Sequence, residues 1–107
     1  HIETIIQQHT AGCYQVYFIG FQPGFGYLKG LDSSLTTPRK SQPRTQIPAG
    51  SVGIAGNQTG VYPTASPGGW QIIGRLAPDH PALFDPNRNP AAWLNTGDQV
   101  KFVSVEH

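Results

Sequence analysis

The sequence predicts a mostly β domain with one short helix at its N-terminal end. Its 107 residues match the usual size of one compact domain and are too few for two separate cores. Thirteen glycines and ten prolines interrupt short apolar runs, and only 12% of the residues are charged. Frequent turn residues between short apolar runs are typical of strands joined by turns, so we expect a closed barrel or a sandwich.

The composition argues against several classes of protein. A formal net charge of +1 provides no long-range field that would attract nucleic acid or a membrane surface. The single cysteine, Cys13, cannot form an internal disulfide and suits a reducing compartment, so we expect a cytoplasmic protein. No apolar run approaches the ~20 residues that cross a bilayer. The four histidines show no ligand spacing, and we therefore expect no metal site.

The N-terminal residues have helical periodicity. Ile2, Ile5, Ile6 and His9 fall on one stripe of a helix, and Gly12 provides a suitable stop. A histidine at the end of an apolar helical face is more often a buried structural residue than a catalytic one. Its near-neutral intrinsic pKa nevertheless keeps His9 a candidate for proton transfer.

Turn residues divide the rest of the chain into short elements. We expect a strand over residues 14–20 that is buried on both faces, and a Pro23-Gly24 turn between aromatic residues. The aromatics Phe21, Phe25 and Tyr27 either close one end of the core or form an apolar patch for a partner or ligand. The other predicted elements are an irregular loop over 32–48, a type II turn at 66–69, a strand over 70–75, a loop over 78–90, a helical turn at 91–94 and a strand over 99–105.

A hairpin centred on Gly56-Asn57 is the most informative local pattern. Counting outwards from that turn pairs Ile54 with Thr59 and Val52 with Val61 on one face, and Ala55 with Gln58, Gly53 with Gly60 and Ser51 with Tyr62 on the other. Two opposed glycines leave the second face nearly bare of side chains, although each interior glycine costs about 0.5–1 kcal/mol relative to alanine. We therefore expect Gly53 and Gly60 to expose backbone to another strand or to a ligand.

Two Pro-Arg pairs form a candidate anion site. An arginine fork binds carboxylate or phosphate with two hydrogen bonds, and a preceding proline restricts the local backbone. Arg39 and Arg44 can share one anion only if residues 40–42 bend, because side chains five apart otherwise point to different sides. The alternative is a pair of solvated arginines.

The same segments carry a family resemblance over roughly residues 9–75. The chain resembles the family of the 5-oxoprolinase B subunit, also known as the kinase inhibitor KipI or as an allophanate hydrolase subunit, and related to the carboxyltransferase region of urea carboxylase. Gly26 is a departure, since the family usually has proline there. The matching segments, in order, are Gly20–Leu28, Pro38-Arg39, Pro43-Arg44, Pro48–Gly56, Gln58–Pro63, Ser66–Trp70 and Ile73–Arg75.

The resemblance implies a two-domain protein whose C-terminal half is a cyclophilin-like closed β-barrel. Residues 1–107 would then be one such domain, preceded by the other half. The family implies ATP-dependent opening of 5-oxoproline to glutamate together with the A and C subunits, of which the KipA-like C subunit would be the direct partner. This chain has no phosphate-binding motif of its own, so we expect ATP to be bound mainly by another subunit.

Roles for individual residues follow as expectations from this resemblance. His9 would move a proton, and the substrate or its anionic intermediates would be bound by Arg39, Arg44, Arg75, Gln58, Thr59 and Tyr62. A different class of function is a regulator that binds and inhibits a sensor histidine kinase through exposed Phe21, Phe25 and Tyr27. A third possibility is a component of urea carboxylase or allophanate hydrolase chemistry.

Overall fold

The computed structural model describes residues 2–105, and the side chain of Ile2, which the predicted helical stripe includes, lies outside the described part. The protein is mostly β with one short N-terminal helix, as predicted. In the described part, no helix has the length and apolar character needed to cross a membrane. The elements are α1 (Ile2–Ala11), β1 (Tyr14–Ile19), β2 (Gly26–Lys29), a 3-10 helix (Ser33–Leu35), β3 (Arg44–Ile47), β4 (Ser51–Ala55), β5 (Gln58–Val61), β6 (Ser66–Gly68), β7 (Gln71–Arg75) and β8 (Gln99–Val100).

The strands form two antiparallel sheets. Six strands pair in the order β7-β4-β5-β2-β1-β8, and β3 pairs with β6 in a separate two-stranded ribbon. Within residues 2–105, no ladder joins β7 to β8, so the main sheet is open. The hydrogen-bond closure predicted for a barrel is therefore not found between these two end strands.

The β4–β5 hairpin has the predicted register. Gly56 adopts a φ of 58°, the left-handed conformation that this tight turn requires. Beyond the turn, the Tyr62 N–H donates to the Ser51 carbonyl at 2.9 Å and extends the pairing by one residue. The observed pairs are Val52 with Val61, Gly53 with Gly60, Ile54 with Thr59, and Ala55 with Gln58.

The glycine face of this hairpin is covered by the domain itself, so the predicted open surface is wrong. A Cβ atom on Gly53 would lie 3.1 Å from the Cβ of Trp70, and one on Gly60 would lie 3.1 Å from the Phe25 ring. Both glycines are buried. They bring backbone close to the protein's own aromatic rings rather than to a ligand. The aromatic cluster on this face consists of Phe25, Ile47, Ala55, Tyr62 and Trp70, with Tyr27 and Ile72 packed against it.

The β3–β6 ribbon replaces two predicted irregular segments. Part of the expected loop over 32–48 forms β3, whose Ile47 is fully buried in the aromatic cluster. The expected type II turn at 66–69 is also wrong, because Gly68 lacks the positive φ that its third position needs and instead pairs with Arg44. Pairing with β3 holds this segment extended.

Three further expectations differ from the structure. The β1 strand buries one face only, since Tyr14 and Val16 are buried whereas the alternate residues Gln15 and Tyr17 are exposed. Residues 91–94 are not helical, because Ala92 forms a β-bridge with Phe84. The last strand ends at Val100, and residues 101–105 have no regular structure.

The second face of the β4–β5 hairpin packs against the rest of the core. Val52, Val61 and Leu83 form one buried cluster there, and the side chain of Phe102 joins it to a neighbouring one. The neighbouring cluster contains Tyr14, Val16 and Leu28. The hairpin thus separates an aromatic face from a mainly aliphatic face.

A pair of glycine substitutions tests the close packing on the aromatic face. In Gly60→Ala, the new methyl group would meet the Gly26 carbonyl oxygen at 3.0 Å, so we expect the free energy of unfolding to fall by about 1–3 kcal/mol. In the control Gly74→Ala, nothing lies within 4 Å of the added methyl group, and we expect no loss of stability. Urea denaturation midpoints measure both effects, and equal midpoints for the two variants would contradict the packing described.

Candidate functional site

His9 is anchored to the centre of the main sheet. Its Nε2 lies 2.9 Å from the hydroxyl oxygen of Thr59, which lies 2.9 Å from the Gly53 carbonyl oxygen. Because the hydroxyl has one hydrogen and donates it to that carbonyl, the network assigns the imidazole hydrogen to Nε2. The histidine therefore donates to Thr59, and Thr59 donates to Gly53.

The surroundings of His9 keep its imidazole neutral. The side chain is 3% exposed and packs against the rings of Tyr14 and Phe102, whose centroids lie 5.2 and 4.6 Å from that of the imidazole. The Tyr14 hydroxyl also donates to the His9 carbonyl at 2.6 Å. Burial lowers the pKa of His9 to about 4, since a charged imidazole would lose its hydration here. At neutral pH this residue is an uncharged part of the core.

The chain bends between the two Pro-Arg pairs, as a shared anion site requires. The backbone bends at Ser41 and Gln42, and the residues on both sides of the bend contact the β6 end of the ribbon. The Lys40 N–H donates to the Gly69 carbonyl at 2.7 Å, and Arg44 pairs with Gly68. Both Arg39 and Arg44 are exposed. Arg39 thus precedes the bend beside Gly69, and Arg44 follows it opposite the neighbouring Gly68.

Arg75 lies apart from this pair in the topology. It stands at the end of β7, opposite Ser51, and lines a groove on the aliphatic side of the hairpin. The three predicted anion-binding arginines therefore do not form one site, because Arg39 and Arg44 lie at and just before the ribbon whereas Arg75 lines this groove.

The three predicted hydrogen-bonding residues in and beside β5 do not form one site. Thr59 is fully buried with His9, whereas Tyr62 is buried in the aromatic cluster on the other face. Burial raises the pKa of Tyr62, so its hydroxyl is protonated at neutral pH. Gln58, beside the turn, is half-buried.

The aromatic turn combines core residues with an exposed ring. Phe25 is buried and Tyr27 partly buried, with their centroids 5.0 Å apart. Phe21 is 62% exposed and adopts a φ of 70°, an unfavourable conformation for a bulky side chain. Its ring lies edge-on to Phe25 at 5.5 Å. The exposed ring of Phe18, which no sequence pattern indicated, packs against Tyr27 with the ring centroids 5.4 Å apart and enlarges the exposed aromatic surface.

A large groove that the sequence did not predict opens on the aliphatic side of the hairpin. We call it the edge groove; its volume is about 710 Å³, and it runs between β7 and the segment from Gln99 to Val105. Apart from the apolar stripe of α1 that includes Ile6, the sequence contains no local signal for this groove, because its walls come from distant segments. Its apolar lining includes Ile6, Ile73, Leu83, Trp93, Phe102 and Val103.

The buried imidazole predicts a pH-dependent stability. The unfolded chain binds a proton at His9 below a pKa of 6.5, whereas the folded protein resists protonation until about pH 4. His9 therefore contributes to the free energy of unfolding above pH 6.5, and this contribution, about 3 kcal/mol, is lost as the pH falls towards 4. The variant His9→Gln, whose amide can still donate to Thr59, should lose this component of the pH dependence in denaturant titrations.

The exposed His80 provides the matched control, and His80→Gln should retain the wild-type pH dependence. Comparison of the two variants with the wild-type protein isolates the contribution of His9. An unchanged slope between pH 4 and 6.5 in His9→Gln would show that His9 is not desolvated as described.

Sequence comparison confirms the resemblance. The chain is 55% identical over 103 residues to the 5-oxoprolinase B subunit of Bacillus subtilis (strain 168), in a match that covers 96% of this chain and 42% of that protein. A weaker match, 40% identity over 63 residues, links 58% of the chain to 3% of the urea amidolyase of Saccharomyces cerevisiae. The chain spans about half the length, or less, of the curated B-subunit relatives that it matches.

A solved structure has the same fold. The crystal structure of the conserved uncharacterized protein PH0987 from Pyrococcus horikoshii superposes with a TM-score of 0.90 and 48% identity, over 99% of this chain and 48% of that one. A family model described as "Carboxyltransferase domain, subdomain C and D" matches residues 1–94. The chain therefore belongs to the family of carboxyltransferase domains, subdomains C and D.

Proposed function

We propose that this domain is part of a 5-oxoprolinase B subunit and contributes a substrate- or partner-binding surface to the ATP-dependent opening of 5-oxoproline to glutamate. The single observation that supports this function best is the high identity to 5-oxoprolinase B subunits over nearly the whole chain. Since the chain spans about half of those relatives, the activity would belong to the full-length protein acting with the A and C subunits. We propose that this domain forms its C-terminal half.

The arrangement of polar groups supports a shared rather than a self-sufficient site. His9 and Thr59 are committed to each other within the core, whereas Arg39 and Arg44 remain exposed. The substrate carries a carboxylate, and activation of its amide by ATP would generate a phosphorylated, anionic species. Arginine side chains bind both kinds of anion with paired hydrogen bonds. We assign anion binding to these two arginines, and ATP binding mainly to the other subunits.

The fold and location of the full-length protein are part of this proposal. We propose a cyclophilin-like barrel, which the curvature of the main sheet supports because β7 and β8 line the same groove. We also propose a cytoplasmic protein, for which the free, exposed thiol of Cys13 is typical.

Arginine substitutions test the proposed anion site. In the full-length protein, co-expressed with the A and C subunits, the double substitution Arg39→Ala and Arg44→Ala should reduce kcat/KM for 5-oxoproline at least ~10-fold, because a charge-assisted hydrogen bond contributes about 1.5–3 kcal/mol. ATP-dependent release of glutamate measures the effect. Lys29→Ala removes an exposed cation from β2 and should leave the rate unchanged. An unaltered rate in the double variant would refute the assignment.

The exposed aromatics favour a second role in binding another protein. Phe21 has an exposed ring held in an unfavourable backbone conformation, and neighbouring Phe18 is also exposed. Residues in such strained backbone conformations are held in place by the surrounding structure and cluster at functional sites. We propose that this patch binds the KipA-like C subunit.

Two alternative functions remain part of the proposal. If the protein is instead a regulator, the same patch would bind and inhibit a sensor histidine kinase. The match to urea amidolyase supports a related role in urea carboxylase or allophanate hydrolase chemistry.

Removal of one ring distinguishes these partners. Phe21→Ser should weaken binding of the C subunit at least ~10-fold in a titration, since a buried aromatic anchor commonly contributes about 2 kcal/mol or more to an interface. Tyr17→Ser, which removes another exposed aromatic from β1, should not weaken it. The regulator would be supported instead if the protein bound the dimerisation region of a histidine kinase but not the C subunit, and if Phe21→Ser weakened that binding. Equal binding of the C subunit by both variants would show that the patch is not its binding site.

A further inference from the structure

The main sheet curls until its two edges face one groove. Strands β7 and β8 are at opposite ends of the strand order, with four strands between them. Residues of both ends nevertheless line the edge groove, from Ile73 to Arg75 on one wall and from Gln99 to Val105 on the other. The groove therefore lies between the two edges of the main sheet.

Both walls of this groove have backbone available for pairing. The β7 strand pairs with β4 only, which leaves its outer edge without a strand partner in the described part of the chain. On the other wall, residues 101–105 follow β8, and among residues 2–105 their backbone makes no hydrogen bond to another backbone group. A sheet edge with free N–H and C=O groups is a template for an added strand.

Exposed apolar side chains are concentrated at the same place. Seven large apolar residues are exposed in the described chain, and four of them line the edge groove. Val103 is 76% exposed. Such a concentration of exposed apolar side chains indicates a binding site for an apolar polypeptide segment. The four residues are Ile6, Trp93, Val103 and Val105.

Two polar side chains of the groove, those of Lys101 and His9, are already engaged. The Lys101 ammonium donates to the carbonyl oxygens of Thr10 and Gly12 at 2.8 and 3.3 Å, and the Nε2 of His9 is bonded to Thr59. A site for a small polar ligand needs a few convergent polar groups, which these residues do not supply. An apolar strand, by contrast, needs backbone partners and apolar walls, and the groove has both.

We propose that the edge groove binds an extended apolar segment from the other half of the full-length protein, which pairs with residues 101–105, alone or together with β7, and closes the barrel. The B-subunit relatives and the Pyrococcus horikoshii protein have about as many further residues as this chain contains, so a covalently attached segment is available at high effective concentration. The inference rests on the proposed barrel but not on the proposed chemistry.

Amide hydrogen exchange of the full-length protein, measured by mass spectrometry, tests this proposal without any activity assay. We expect amides of residues 101–105 to exchange at least ~100-fold more slowly than in an unstructured peptide. Val103→Lys should accelerate this exchange at least ~10-fold, and should also accelerate exchange in one segment outside the 107 residues, which identifies the bound strand. Tyr17→Lys, an exposed position on β1, should change neither.

Each alternative occupant gives a different result, and each would overturn the proposal. Unprotected amides in the wild-type protein would show an empty groove. Protection that appears only with the C subunit, only at high protein concentration, or only with an added small molecule would identify a separate partner protein, a second copy or a ligand. If Val103→Lys also exposes β4 and β5, the variant has unfolded, and Val105→Lys replaces it in the same comparison.

Discussion

The close approach of aromatic rings to the backbone at Gly53 and Gly60 is the constraint on which the rest of the structure depends. Any larger residue at either position would push Trp70 or Phe25 away from the sheet. With glycine at both, the ring of Phe25 packs edge-on to Tyr62 and to Trp70, at 5.4 and 5.3 Å. The β3–β6 ribbon closes over this cluster through Ile47 and thereby positions the exposed arginines.

Local turn chemistry explains which features the sequence could predict. Gly56 sets the turn, and the turn sets the β4–β5 register, so that every predicted pair was found. The occupant of the glycine face was not predictable in the same way, because Phe25 and Trp70 come from opposite sides of the hairpin in sequence. The ribbon was missed for a related reason: β3 and β6 are short, glycine- or proline-flanked segments that become strands only through each other.

Strand alternation also corrects the predicted site. Thr59 and Tyr62 are three residues apart, and successive side chains of a strand point to opposite faces, so the two could not line one surface. The structure places them accordingly, Thr59 with His9 and Tyr62 with Trp70. The bend that brings Arg39 and Arg44 to the same ribbon was required by the sequence argument, but only the pairing of Arg44 with Gly68 shows how it is made.

The two faces of the hairpin therefore have different physical capacities. The aliphatic face holds a neutral histidine whose protonation would cost stability, so a proton-transfer role for His9 would require this network to open. The arginines at the ribbon beyond the aromatic face are exposed to solvent. An anion can therefore replace the water around them without disturbing the packing of the core. Anion binding is thus better placed at the ribbon. The edge groove, with apolar walls and backbone that is unpaired among residues 2–105, is better suited to completing the fold.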